Sequence, residues 1–198
     1  MQNRWNESKS KATIEQYKDV SKDIALRVYT SRLIGADPSL VLHGGGNTSV
    51  KSVTTNAVGE EINVLYVKGS GWDMADIEPA GLPAVKLEPL LSLKKKKYLS
   101  DEDMVNFQKR NLIDIKSPNP SVETFLHAFL PFKYVDHTHS DAILNLTNRP
   151  GGLNFCKKIF GNKVTIVPYV MPGFMLAKKI DDIYSKNPNI NCLILMNH

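Results

Sequence analysis

The chain has 198 residues, of which 42% are hydrophobic, and its formal net charge is +5. That length suits one domain with a sizeable core, because domains cluster near about 100–200 residues. We therefore expect residues 1–198 to form a single domain. No apolar run approaches the roughly 20 residues that a membrane helix needs, and the polar, charged N-terminus is unlike a signal peptide. These features predict a cytoplasmic protein with no membrane partner.

The basic surplus and the cysteines exclude further classes of protein. The positive charge is diffuse except at Lys94–Lys97, a run that is typical of a solvated face and lacks interleaved aromatic residues. We therefore predict no nucleic-acid partner. Cys156 and Cys192 stand far apart and outside any Cys-x-x-Cys pair, which excludes a disulfide framework and leaves them as ordinary core or surface residues.

The hydrophobic pattern predicts a mixture of helices and strands. Apolar residues at helical spacing predict one amphipathic helix over about residues 13–34, after a mobile first dozen residues. Asn119 followed by Pro120 is a strong helix-start signal, so a helix is expected at residues 121–129. Further helices are predicted at about residues 82–93, 101–109, 141–146 and 174–185, and strands on either side of the glycine-rich segment 44–51 and at 40–42, 62–67, 134–139, 164–167 and 192–196. The elements do not alternate regularly as in a doubly wound sheet.

Three histidines and a glutamate are spaced to converge on one divalent metal ion. His137 and His139 are two residues apart on a predicted strand, so both imidazoles project from the same side. Glu123 and His127 are four residues apart on the preceding predicted helix, and a short connection brings their face towards the two histidines. His198 follows the last apolar strand. A His-x-His pair alone is more often two strand histidines without an ion, but Glu123 and His198 together favour a metal site.

The donor types indicate which metal would bind and what it would do. Imidazole nitrogens with one carboxylate suit Zn²⁺ best, and Mn²⁺, Co²⁺ and Fe²⁺ stay open as alternatives because affinity alone does not select the ion. Three histidines leave a coordination position free. A metal ion with a free position polarises a carbonyl and stabilises an enediolate, so this set predicts enolate chemistry.

Two glycine-rich turns, 44–46 and 69–71, present successive backbone N–H groups that suit an anion. Neither turn has the pattern of a P-loop or of a dinucleotide-binding fingerprint, so nucleotide binding is not predicted. His43–Gly46 resembles an esterase oxyanion loop, but the sequence has no Gly-x-Ser-x-Gly elbow, which excludes a serine hydrolase. Each turn alone fits a plain tight turn as well as a phosphate cradle.

Five motifs in a fixed order give the chain a family resemblance. They are Gly46-Asn47-Thr48-Ser49, Gly69-Ser70-Gly71, Pro120-Ser121-Val122-Glu123, His137-Thr138-His139 and Asn197-His198. Over about residues 20–198 this order resembles the class II (metal-dependent) aldolase/adducin head domain family. The longer strings at 43–51, 67–71, 123–131 and 135–139 are similar to the aldolase part of bifunctional rhamnulose-1-phosphate aldolase/short-chain dehydrogenase proteins.

The resemblance implies a fold, an assembly and a metal centre. The fold is α/β, a three-layer α/β/α arrangement with a central, mainly antiparallel sheet, and the assembly is a cyclic homo-oligomer, with a tetramer favoured and the active site near a subunit interface. The zinc ligands would be His137, His139 and His198. Glu123 would be a metal ligand in the resting site and the proton-transferring catalytic residue during turnover. His127 is expected to support the site or the fold without binding the ion.

The resemblance also implies a phosphate site, and two departures from the family pattern bear on it. The phosphate would be held by Gly46, Asn47, Ser70, Gly71 and Ser121. Many family members have a serine where this chain has Val122, which removes one hydroxyl from that site. The chain stops at His198, where the family continues with a closing helix, so we expect a C-terminally truncated piece of a longer protein with a covalently linked dehydrogenase domain.

The implied activity is lyase chemistry on a phosphorylated ketose substrate. Rhamnulose 1-phosphate would be cleaved to dihydroxyacetone phosphate and a small aldehyde, with the ion chelating the C2 carbonyl and C3 hydroxyl while Glu123 delivers a proton. A sugar-phosphate 4-epimerase acting through the same site is the alternative within the fold. A non-catalytic adducin-like interaction module is the alternative from another class, although the retained metal residues argue against it. A His-x-His hydrolase is disfavoured because the chain lacks an eight-fold βα pattern.

Overall fold

A computed structural model describes residues 3–198. The chain folds around a four-stranded antiparallel sheet in the order β3-β2-β1-β4, beside a parallel pair, β5-β6. The strands are β1 Asn47–Thr55, β2 Glu61–Val67, β3 Ala84–Lys86, β4 Tyr134–His137, β5 Thr165–Val167 and β6 Leu193–Leu195. The helices are α1 Glu7–Gln16, α2 Lys22–Gly35, α3 Leu87–Ser92, α4 Asp101–Arg110, α5 Thr124–Phe129, α6 Asp141–Thr147, α7 Gly152–Phe160 and α8 Phe174–Lys186. The central antiparallel sheet flanked by helices confirms the predicted fold class.

Strand β1 is the element that organises the site. It pairs with β2 on one side, where Ser49 lies opposite Val67, and with β4 on the other, where Asn47 lies opposite His137. This register places the residue after the first glycine turn beside the first histidine of the His-x-His motif. Among residues 3–198, no helix has the length and apolar character that crossing a bilayer requires.

Helix α5 is buried along its whole length, which is unusual for so short a helix. All six of its residues are buried. Phe125 and Phe129 pack edge-to-face against Phe174 of α8, with ring centroids 5.4 Å and 6.1 Å apart. Such pairs add about 0.5–1.5 kcal/mol each beyond the burial of apolar area. The core therefore fixes the helix that carries His127 and follows Glu123.

The N-terminal prediction was wrong in two respects. The helix expected over residues 13–34 is broken into α1 and α2, because Ser21 starts a new helix by accepting a hydrogen bond from Ile24 N at 3.4 Å. Of the first dozen residues, which were expected to be mobile, residues 1 and 2 lie outside the described residues and the rest are ordered. Asn6 caps α1, and its backbone N–H donates to the Tyr29 hydroxyl at 3.0 Å. Trp5 packs edge-on against Tyr29, with centroids 5.2 Å apart.

Two further elements differ from the sequence prediction for tertiary reasons. The apolar run 40–42 lies in a turn and the irregular segment after it, not in a strand, and the segment 82–93 is split mainly between β3 and α3. The helix expected from residue 121 begins at Thr124, because Pro120 is held in a β-bridge to Gly69. That long-range pairing overrides the local helix-start signal and brings the second glycine turn against the segment before Glu123.

Candidate metal centre and adjoining anion pocket

Three imidazoles converge as the sequence predicted. His137, His139 and His198 each offer a ring nitrogen within 4.8 Å of the others. The ring centroids are 4.9 Å apart for His137 and His139, 4.8 Å for His137 and His198, and 5.5 Å for His139 and His198. The His-x-His motif and the distant His198 thus present three nitrogen donors to one point, at a spacing that suits one ion.

Different local structures bring these rings together. His137 is the last residue of β4, and His139 lies in the loop beyond it, so the expectation that both would lie on one strand was wrong. His198 follows a tight turn at Asn197, whose φ of 57° is left-handed and whose side chain donates to Thr147 O at 3.1 Å. Asparagine tolerates that backbone region better than most residues.

Glu123 completes the cluster with one oxygen that has no hydrogen-bond partner among residues 3–198. Its Oε2 accepts from His137 Nδ1 and from Asn47 Nδ2, both at 2.7 Å. Its Oε1 is buried and lies 3.4 Å from His198 Nε2, yet no hydrogen bond reaches it from residues 3–198. An unsatisfied buried carboxylate oxygen is costly, and a bound cation is a common reason for one. The donor set and this oxygen fit a divalent metal ion.

The ionisation states of the cluster favour metal binding. Burial would raise the pKa of Glu123, but hydrogen bonds from His137 and Asn47 and the neighbouring imidazoles outweigh it and lower that pKa to about 2. Burial, together with the neighbouring histidines, lowers the pKa of His139 and of His198. An ionised carboxylate beside neutral imidazoles is the form in which these groups bind a metal.

Next to the metal cluster lies an open cavity of about 430 Å³ between the two glycine turns. Eight of the nine residues predicted for the site line this cavity: Gly46, Asn47, Ser70, Gly71, Ser121, Glu123, His139 and His198. The ninth, His137, contacts Glu123 directly. The sequence prediction thus identified residues that the fold does bring together.

Gly46 shows why the first turn needs glycine. Its φ is +64°, and a Cβ built there would lie 2.5 Å from His137 O and 2.9 Å from Val41 Cγ1. The backbone at Gly46 therefore lies too close to the end of β4 to leave room for any side chain. This close approach keeps the turn beside the metal cluster.

Asn47 has contacts that the sequence did not reveal. Its Nδ2 donates to Glu123 Oε2 at 2.7 Å and to Ser121 Oγ at 3.2 Å, and its Oδ1 contacts His127 Nε2. Ser121 Oγ also accepts from Glu123 N at 3.2 Å. The Asn47 side chain is thus engaged with the predicted catalytic carboxylate.

Lys68 is a pocket residue that sequence reasoning missed. It is the one lysine or arginine among the residues that line the cavity, and its Nζ donates to Gly44 O at 2.9 Å. Burial lowers the pKa of Lys68, and Asp73 opposes that shift. The only sequence signal was its place directly before Gly69-Ser70-Gly71. Lys68 gives the anion pocket a positive charge.

The fold and site geometry agree with comparisons to known proteins. The model of the Class II Aldolase and Adducin N-terminal domain matches residues 26–198, and the chain belongs to this family. It is 41% identical over 184 residues to the uncharacterized oxidoreductase YuxG of Bacillus subtilis, covering 93% of this chain. The chain spans 27% of that relative's length.

Solved structures give the same result at two levels of similarity. The N-terminal class II aldolase domain of a conserved Thermoplasma acidophilum protein is 43% identical, with a TM-score of 0.86, over 100% of this chain and 86% of that one. An L-fuculose-1-phosphate aldolase from Thermus thermophilus is 18% identical, with a TM-score of 0.50, over 87% of this chain and 76% of that one. The second likeness concerns the fold alone.

Proposed function

We propose that this chain is a zinc-dependent aldolase domain that cleaves a ketose 1-phosphate, such as rhamnulose 1-phosphate, into dihydroxyacetone phosphate and a small aldehyde. The observation that carries the proposal is the convergence of three imidazoles beside Glu123 Oε1, which has no hydrogen bond from residues 3–198 and lies 3.4 Å from His198 Nε2. The cluster adjoins a cavity that is lined by two glycine turns and one lysine. Family membership supports an aldolase-type activity in general.

His137, His139 and His198 would hold the metal ion, with Glu123 as the fourth ligand in the resting site. When bound, a divalent ion supplies Lewis-acid stabilisation of negative charge that develops on a carbonyl oxygen. The lowered pKa of the partly buried imidazoles at His139 and His198 favours the neutral form, whose ring nitrogens can bind a metal ion.

Glu123 is the proposed proton-transferring residue at C3 of the sugar. In the cleavage direction the C4 hydroxyl loses a proton, the C3–C4 bond breaks, C4 becomes the aldehyde carbonyl and C3 gains a proton, so no further reactant is needed. In the synthetic direction the lowered pKa of Glu123, about 2, provides a carboxylate to remove the C3 proton. The same group must act as the acid in reverse.

The anion pocket is the proposed site of the substrate phosphate. Gly46 and Gly71 would supply backbone N–H groups there, Ser70 and Ser121 would supply hydroxyl groups, and Lys68 would supply the charge. Asn47, which was also expected to hold the phosphate, lines the pocket, but its amide contacts Glu123, Ser121 and His127. Val122, 49% exposed, lines the pocket in place of a further hydroxyl. The buried lysine offsets that loss, because a charged donor binds phosphate more strongly than a neutral one.

We also propose that the domain works as a homo-oligomer, with a tetramer favoured, and within a longer protein that has a dehydrogenase part. Tyr169 and Met171 are 52% and 65% exposed beside Pro172, which lines the pocket, so an apolar surface adjoins the site. The matched relative is named an oxidoreductase, and this chain spans 27% of it.

A product assay tests the proposal. Zn²⁺-loaded protein is incubated with rhamnulose 1-phosphate, and dihydroxyacetone phosphate is measured by a coupled NADH-consuming reductase while NMR identifies the second product. The expected result is equal amounts of dihydroxyacetone phosphate and lactaldehyde, abolished in His139→Ala. An epimeric sugar phosphate without aldehyde would make the domain a 4-epimerase. If a panel of ketose 1-phosphates gave neither product, the lyase proposal would be wrong.

A further inference from the structure

A row of four buried polar side chains leads from the metal centre into the core. Glu123 Oε2 accepts from Asn47 Nδ2 at 2.7 Å, Asn47 Oδ1 contacts His127 Nε2, and His127 Nδ1 lies 2.8 Å from Ser49 Oγ. The exposed fractions are 4% for Glu123, 6% for Asn47 and 0% for both His127 and Ser49. Water therefore has little access to any of these groups.

The ionised carboxylate sets the direction of every hydrogen bond in this row. A carboxylate only accepts, so Asn47 must turn its NH₂ group towards Glu123, which leaves Oδ1 facing His127. His127 Nε2 must then carry a proton. Burial lowers the pKa of His127 to about 3, so the ring is neutral, and Nδ1 accepts from the Ser49 hydroxyl. Each polar atom of the row thus has one defined role.

Rotation of the Asn47 amide by half a turn would break several contacts together. Oδ1 would then face the Glu123 carboxylate and Ser121 Oγ, while the NH₂ group would face the proton on His127 Nε2. An asparagine amide is otherwise free to rotate about its last bond. The carboxylate at the outer end and the Nε2 proton of His127 at the inner end therefore favour the same orientation of the amide, and loss of the imidazole removes one of these two constraints.

Contacts other than those of the imidazole anchor helix α5 at its end and along its apolar side. Lys51 Nζ donates to the backbone oxygens of His127, Leu130 and Phe132 at 2.8, 2.7 and 2.8 Å, which fixes the end of the helix through the main chain. The aromatic packing of Phe125 and Phe129 fixes its apolar side. A change of the His127 side chain thus removes its two ring contacts while these anchors remain.

We propose that His127 is a positioning residue that locks the Asn47 amide, so that its NH₂ group holds Glu123 Oε2 and Oε1 keeps its place beside His198 Nε2. The inference rests on the proposed metal centre, but the quantity that it predicts is the affinity for the metal ion and not the rate of turnover. Partners that orient metal ligands from outside the coordination sphere typically contribute 10–100-fold to metal affinity or activity.

Two neutral substitutions separate positioning from packing. In His127→Gln the longer side chain brings an N–H donor to the place of Nε2, whereas in His127→Asn the shorter one reaches only the place of Nδ1. Zn²⁺ affinity is measured by competition with a chromophoric chelator. We expect His127→Gln to stay within about threefold of wild type and His127→Asn to bind about tenfold more weakly. Loss of affinity in His127→Gln would overturn the proposal, whether or not His127→Asn folds.

A double-mutant cycle tests whether His127 acts through Asn47. We expect Asn47→Ala to weaken Zn²⁺ binding about tenfold and His127→Asn to add less than about twofold in that background. An equal effect of His127→Asn in both backgrounds would contradict the proposal. Ser31→Ala is the matched control, because it removes a buried hydrogen bond of 2.7 Å to Thr48 Oγ1 that lies outside the row. It is expected to lower stability and leave Zn²⁺ affinity unchanged.

The outcome is separable from that of the proposed function. Wild-type protein that binds Zn²⁺ with the predicted variant pattern but cleaves no sugar phosphate would refute the aldolase and retain the positioning role. Protein that cleaves the substrate, with equal Zn²⁺ affinities and an equal kcat/KM in wild type and His127→Asn, would refute the positioning role alone.

Discussion

The metal side and the anion side of the site are built from different parts of the chain. The metal side consists of side chains that lie at or near the ends of separate elements: Glu123 directly before α5, His137 at the end of β4 and His198 after β6. The anion side consists largely of backbone, and Gly46 and Gly71 adopt φ values of +64° and +85°. The metal side depends on the functional groups of its side chains, and the anion side depends on glycine residues, which have no side chain.

This difference teaches where substitutions should cost activity and where they should cost stability. On the metal side a substitution can delete a functional group while the strands and helices that carry it remain. On the glycine side an added Cβ at Gly46 would meet backbone, since His137 O would lie 2.5 Å away, whereas at Gly71 only the positive φ disfavours a side chain. The following predictions test that contrast, beginning with the largest effect.

Glu123→Gln should lower kcat by about 10²–10⁴-fold, the usual contribution of a positioned acid or base, because the amide cannot exchange the C3 proton. The free energy of unfolding should also fall somewhat, because the folded chain favours the ionised form of Glu123, and the amide keeps only one oxygen for the hydrogen bonds that His137 and Asn47 donate. Steady-state kinetics and urea unfolding measure the two quantities. Glu15→Gln, on the exposed part of α1, is the control and should match wild type. A kcat within tenfold of wild type would remove Glu123 from the chemistry.

Lys68→Met should raise KM for the phosphorylated ketose about 10–100-fold, as expected for the loss of a charged hydrogen bond, with a smaller effect on kcat. The unphosphorylated ketose should show no such change. Lys86→Met, at an exposed position of β3, controls for overall charge. Equal losses for both sugars would mean that Lys68 does not bind the phosphate.

Gly46→Ala should destabilise the fold by about 2 kcal/mol more than Gly59→Ala. Both glycines have positive φ, +64° and +86°, so both substitutions meet the left-handed penalty of about 1–2 kcal/mol. Only Gly46 adds an overpacking cost, because its Cβ would lie 2.5 Å from His137 O while Gly59 has nothing within 4 Å. Urea unfolding compares the two variants, and equal losses would contradict the close approach.

The metal-free protein should lose stability as the pH falls below about 6.5. The pKa of His127 is about 3 in the folded chain against an ordinary value of 6.5, so in this window the unfolded chain takes up a proton that the folded chain refuses. The contribution of the neutral His127 ring to the free energy of unfolding is fully present above pH 6.5, and it declines by up to about 1.4 kcal/mol per pH unit towards pH 3. His127→Gln should show a shallower slope between about pH 6.5 and 5. Identical slopes would mean that the buried ring is already charged.

The metal donors could be predicted from sequence because their types are informative and their order is specific. Histidine pairs and a lone carboxylate restrict the chemistry even where the local prediction fails, as for His139, which lies beyond its expected strand. The core helix α5 was likewise expected, although its start was not. Asn119 and Pro120 form a helix-start signal that a β-bridge to Gly69 overrides.

The supporting contacts could not be predicted, because they join residues that are distant in the chain. Asn47 meets Glu123 and His127 only when β1 lies beside α5, at separations of 76 and 80 residues. Lys68 becomes a pocket residue only when its turn folds over Gly44. Helix α7 was missed because its start, at Gly151 and Gly152, lacks an N-cap signal and instead resembles a loop.

Zn²⁺ titration of the purified protein tests the central claim most directly. Wild-type protein, stripped of metal and titrated in competition with a chelator, should bind one ion per chain, and His139→Ala should bind it more than about 100-fold more weakly, since a ligand itself contributes more than the groups around it. Absence of a tight site in wild type, or equal affinity in His139→Ala, would contradict the account.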